Sequence, residues 1–218
     1  MADPVTVPPS LRAAVAADLA PVVPLRSPIV RGLALVPIAA ALLVAAPLVF
    51  SFRDMAALGW GWSWGASTLQ ALAGVLLVVA ALRESVPGRS WSRRGLVLLA
   101  GLPIALVAAV TMASWQSSPV AIGHAALTIG AICLTGSAIG ALPATLIAVV
   151  LAVRAYPTRP VVTGWLAGLG GGLMADAGWR LFCHFSEPSH VLATHLGGVL
   201  VAAAVGALAA VGLTRRLQ

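Results

Sequence analysis

Few side chains in this chain have chemical potential: its 218 residues include two cysteines, Cys133 and Cys183, and four histidines, His124, His184, His190 and His195. Thiolates and imidazoles are the ligands that soft and borderline divalent ions such as zinc prefer. In an oxidising compartment the two thiols would instead form a disulfide, provided their alpha carbons come within about 7 Å. A third reading is that the cysteines only pack. The spacing matches no finger pattern, so the residues alone leave all three open. A second pair, Asp176 and Arg180, sits four residues apart and shares one face of a helix. An intramembrane ion pair there would offset the cost of charge in an apolar setting.

Other chemistry is poorly served. The sequence holds no phosphate loop, nucleotide fingerprint or catalytic triad. A membrane disulfide oxidoreductase would show a Cys-x-x-Cys pair, whereas these cysteines are fifty residues apart. No enzyme is expected. A metal transporter would place ionisable groups near the midplane of several spans, and only Asp176 and Arg180 qualify. An integral membrane metal-binding or transport protein therefore stands as the alternative reading.

The elements that position these residues follow from composition. The chain is 60% hydrophobic and 9% charged, far below the roughly 25% charged residues of a soluble domain. About 20 apolar residues cross the hydrocarbon as a helix. Six such stretches are expected, at residues 32–52, 64–82, 95–113, 132–153, 161–182 and 191–213. They are apolar on every face, unlike the alternating segments of a barrel. The expected fold is all-α: a polytopic six-helix transmembrane domain over residues 32–213, a cytoplasmic segment 1–31 before it and a short tail 214–218 after it.

All thirteen basic residues are arginines. Eleven fall before the first stretch, in alternate connections or at the tail, leaving Arg53 and Arg180 for the other side. The positive-inside rule makes the arginine-rich side cytoplasmic, with both termini there. The charge is thus a signal of topology in a bacterial inner membrane, not of nucleic-acid binding. Residues 1–31 lack the layout of a signal peptide, so the first span should be retained. Both cysteines and all four histidines then face the outer compartment.

Before the first span, Ser10 is expected to cap a short helix over residues 11–20, stopped by Pro21 and Pro24. Leu11, Val15 and Leu19 would share an apolar stripe beside Asp18, suited to folding on a soluble partner. Trp60, Trp62, Trp64 and Trp115 read as anchors at the outer interface. Gly136 with Gly140, and Gly164 with Gly168 and Gly172, have the spacing of close helix packing. Pro37, Pro47, Pro103 and Pro143 are expected to kink their helices. The stretch from Trp115 to Ala131 reads as an interfacial helix.

Four pieces of sequence, taken in order, resemble one family. They are Ala17-Asp18-Leu19-Ala20-Pro21-Val22 followed by Pro24-Leu25; Ser85-Val86-Pro87-Gly88-Arg89; Cys133 opening the fourth span; and Cys183 followed by Ser189-His190-Val191-Leu192 and His195-Leu196-Gly197-Gly198. Together they resemble the negative-regulator-of-sigma-F (NrsF) family of six-span membrane anti-sigma factors. The resemblance implies a partner, an extracytoplasmic-function (ECF) sigma factor, held on the cytoplasmic side. It implies release on a periplasmic heavy-metal or redox signal sensed by two cysteines, which Cys133 and Cys183 match in position. Many relatives read His-Cys-Pro where this chain has Phe182-Cys183-His184. Candidate sensing residues are therefore Cys133, Cys183, His184, His190 and His195, with zinc or another soft divalent metal as the ligand. Candidate partner-binding residues are Leu11, Val15, Asp18 and Leu19.

Overall fold

The computed structural model describes residues 7–19, 24–51, 59–123 and 126–217. The described residues form helices and short connections, with no strand among them. In chain order the helices are α1 (Pro9–Asp18), α2 (Pro28–Leu33), α3 (Val36–Phe50), α4 (Trp60–Glu84), α5 (Arg93–Ser117), α6 (Ala126–Val153), α7 (Pro160–Phe182), α8 (Pro188–His190) and α9 (Leu196–Leu217). A single π-helical turn, Val191–His195, joins α8 to α9.

Five helical stretches are long and apolar enough to cross a membrane: Pro28–Phe50, Trp60–Glu84, Arg93–Ser117, Leu127–Val153 and Pro188–Leu217. Five of the six expected spans meet that standard. The remaining one, α7, has 23 residues but carries six glycines, Asp176 and Arg180, which lower its apolarity. It is the buried axis of the bundle, with α3, α4, α6 and α9 packed around it. Helices in lipid associate through close packing rather than through expulsion of apolar surface. The glycines of α7 allow that approach. A side chain at Gly164 would collide with the Gly206 carbonyl of α9, and one at Gly168 with the Ala202 carbonyl. On the α4 side, a Cβ on Gly170 would stand 2.6 Å from the Gly74 carbonyl oxygen.

Several expectations are refined. The first span is broken at Ala34 and Leu35, because Pro37 sits in the first turn of α3, where its missing N–H is tolerated. Pro47, Pro103 and Pro143 lie inside α3, α5 and α6. Trp60, Trp62 and Trp64 belong to the first turns of α4. Ser10 does not cap α1: the helix starts two residues earlier than expected, at Pro9, whose fixed φ suits that position, and no side chain caps it. From Ser118 to Ile122 the chain is not helical, so the interfacial helix expected between Trp115 and Ala131 is not formed there. Pro119 cannot donate a helical hydrogen bond, and the connection pairs elsewhere: Val120 N–H donates to Ser186 Oγ at 2.9 Å and Ser186 N–H donates to the Val120 carbonyl at 3.1 Å.

Candidate metal centre

Three elements converge on one point. The third turn of α6 supplies Cys133, the residue ending α7 supplies Cys183, and the α8–α9 junction supplies His190 and His195. All four are buried, and one ligand atom from each lies within 4.8 Å of every other. The sulfurs are 3.9 Å apart and both cysteines are free thiols. Cys183 Sγ is 3.5 Å from His190 Nε2.

The π turn makes the two imidazoles neighbours. On an α-helix, residues five apart point about 140° away from each other, given 3.6 residues per turn. The wider π turn brings His190 and His195 back onto one side, with ring centroids 5.4 Å apart and planes at 81°. Such turns recur at functional sites. Thr194 Oγ1 donates to the His190 carbonyl at 2.8 Å, adding a side-chain bond across this junction.

His195 is oriented by α7. Its Nδ1 lies 2.8 Å from Asp176 Oδ1, while its Nε2 is buried and has no protein partner. Asp176 in turn accepts from Gln70 Nε2 of α4 at 2.8 Å and from Ser137 Oγ of α6 at 3.3 Å. A carboxylate that fixes the far nitrogen of an imidazole is the usual support of a metal-binding histidine. The expected Asp176–Arg180 pair forms no direct salt bridge, although each group still bears electrostatically on the other. His195 takes the carboxylate, and the Arg180 guanidinium donates to Thr111 Oγ1 of α5 at 3.1 Å. Four-residue spacing fixed a common face, but closer polar partners on other helices claimed both groups.

A cavity of about 10 Å³ adjoins the centre, lined by Thr111, Ser114, Arg180, Cys183 and His195 among others. That is about the room one water needs. Above it, the segment after Cys183 is strapped to the α5–α6 connection. Ser186 Oγ donates to the Ser118 carbonyl at 2.6 Å, and Ile122 N–H donates to Glu187 Oε2 at 3.1 Å. The Ser189 hydroxyl at 2.5 Å and that amide hold the Glu187 carboxyl below its ordinary pKa.

The remaining candidates lie elsewhere. His184 is exposed, its ring 6.3 Å from that of Phe182 and outside the four-residue cluster. His124 lies outside the described residues. Leu11, Val15 and Asp18 lie on α1, which buries no residue, and Leu19 leaves the helix in an extended conformation. Gln70, Ser137 and Thr111 escaped the sequence reading. Gln70 had a visible signal, the one amide side chain in its span.

A family model described as negative regulator of sigma F matches residues 15–215. This chain belongs to that family. The match opens inside α1 and closes in α9, so it includes every residue of the centre and Asp176 behind it. No curated protein and no solved structure matches the chain. The family's description makes a sigma factor the partner and negative regulation the role.

Proposed function

We propose that the protein is a membrane-held anti-sigma factor in which α7 also spans and completes a set of six, both termini cytoplasmic. It sequesters an ECF sigma factor and releases it when a soft divalent metal binds Cys133, Cys183, His190 and His195 on the outer side. One observation carries the sensor reading: two thiols and two imidazoles from three elements, buried together and backed by Asp176. Four-coordinate zinc with Zn–S near 2.3 Å and Zn–N near 2.05 Å puts ligand atoms about 3.8 Å apart for two sulfurs and about 3.5 Å for sulfur and nitrogen. The separations of 3.9 Å and 3.5 Å in this site match those edges.

Binding would require both thiols to lose their protons and both imidazoles to be neutral at the ligating nitrogen, with the protons released to solvent. Oxidation to a disulfide would serve as an input too, but it would leave the imidazoles and Asp176 without a purpose. The output is assigned to the apolar stripe of α1, where Leu11 and Val15 are about half exposed, and to Leu19, more exposed, just beyond its end. Exposed apolar residues at helical spacing suit docking into a partner's groove.

The test is expression of the sigma factor's target gene in the native host, with and without cadmium. The parent should derepress on cadmium. Cys133→Ser and Cys183→Ser should each lose that response, and removal of residues 1–19 should derepress without metal while the protein stays in the membrane. A cadmium response that survives the double cysteine variant would sink the sensor assignment. Repression that survives the truncation would move the output to the inner connections.

A further inference from the structure

Twenty residues beyond Cys133 along α6, about 30 Å at 1.5 Å per residue, the bundle ends in a second cavity of about 500 Å³. Leu25, Arg26, Ser27 and Arg31 form one wall, Arg89 of the α4–α5 connection another, and Ala155 closes it beyond α6. Three arginines thus line one space. None of them is paired with a carboxylate among the described residues, where Glu84 is taken by Arg159.

Arg31 is the informative one, because only 8% of it is exposed. Its Nη2 donates to the Leu151 carbonyl, and its Nη1 is buried without a hydrogen-bond partner. The charge bearing on it is another cation, Arg154. A buried cation with an unused donor and no counter-charge is costly, and an anion would relieve it. Guanidinium forks fit phosphate oxygens in particular.

The walls say which phosphate. Leu25 lines the cavity, Ile29, Val30 and Leu33 follow on α2 at the start of the first span, and each is about half exposed. This apolar surface runs from the cavity along a membrane-crossing helix, where acyl chains would lie. A soluble anion would make no use of it. Basic pockets between helices on the cytoplasmic side bind anionic lipid head groups. We propose that this cavity is a phospholipid site, with Arg26, Arg31 and Arg89 holding the phosphate of an anionic lipid and the α2 surface holding its chains.

The proposal is tested on the full chain in detergent, exchanged into phosphatidylglycerol or phosphatidylcholine and read by native mass spectrometry. The parent should retain phosphatidylglycerol in preference to phosphatidylcholine. Arg26→Gln with Arg89→Gln removes two exposed charges at about fivefold each, so retention should fall about 25-fold. Arg93→Gln with Arg94→Gln removes two charges from the same end but outside the cavity and should leave retention unchanged. Arg31→Gln should also lower retention, and if it fails to fold the exposed pair still decides. Equal losses in the two double variants would overturn the site in favour of diffuse charge. Displacement of the lipid by millimolar inorganic phosphate would assign the pocket to a soluble anion. An acidic protein that co-purifies with the parent and excludes phosphatidylglycerol would assign it to that protein.

Discussion

Asp176 contributes more to the site than its ordinary reading as half of an ion pair suggests. By holding His195 Nδ1 at 2.8 Å it leaves Nε2 free to face the thiols. Asp176→Asn should keep the fold while lowering zinc or cadmium affinity 10- to 100-fold, the usual effect of losing the group behind a ligating histidine. Titration of the purified protein, followed by the ultraviolet thiolate-to-metal band of the cadmium form, measures it; unchanged affinity would show that the carboxylate is only structural. The same titration should weaken as pH falls, because protons compete with the metal for every ligand. His184→Ala should leave it unaffected, since that ring is exposed and outside the cluster. Residue types and sidedness made Cys133, Cys183, His190 and His195 candidates from the sequence. Their selection over His184 was not legible there, because it depends on a π turn and on the chain folding back after Cys183.

At the scale of elements, composition was enough to find the apolar helices but silent on which one stands at the centre. The sequence signal for α7 was its run of glycines, read as packing spacing, and the structure gives that spacing two different neighbours. Gly164 and Gly168 meet α9, whereas Gly170 meets α4. Gly168→Ala should therefore lower the thermal midpoint of the detergent-solubilised protein, at a cost of about 1–3 kcal/mol for overpacking. Gly101→Ala in α5 should be neutral or better, since nothing lies within 4 Å of the added carbon and alanine favours helix over glycine. Equal shifts for the two variants would argue against the packed α7–α9 interface. The peripheral place of α5 was hidden from sequence for the same reason: it is among the most apolar helices, yet buries only Val107, Thr111 and Ser114. In lipid an apolar residue needs no protein partner, so hydropathy does not rank burial.

For the molecule as a whole, the outer centre must bias two arrangements of the inner end if it is to act as a switch. One contiguous route runs through α4. Asp176 holds Gln70, α4 continues from there to Glu84, and the Glu84 carboxylate receives the Trp91 N–H at 2.6 Å and Arg159 Nε at 2.7 Å. Those groups bracket the Ser85–Arg89 connection and the start of α7. The Arg180–Thr111 bond offers a parallel route through α5. Coupling between sites is commonly worth a 5- to 150-fold change in affinity, so metal should weaken sigma-factor binding to the parent within that range. Gln70→Leu removes the link from Asp176 to α4 without touching a ligand. Its metal affinity should stay within a few-fold of the parent, while the ratio of sigma affinities without and with metal should fall toward one. Retained metal binding shows that the variant is folded, so a lost ratio is a loss of coupling. If Gln70→Leu still releases its partner normally and Thr111→Val does not, the signal travels through α5, and the carboxylate network serves the metal site alone.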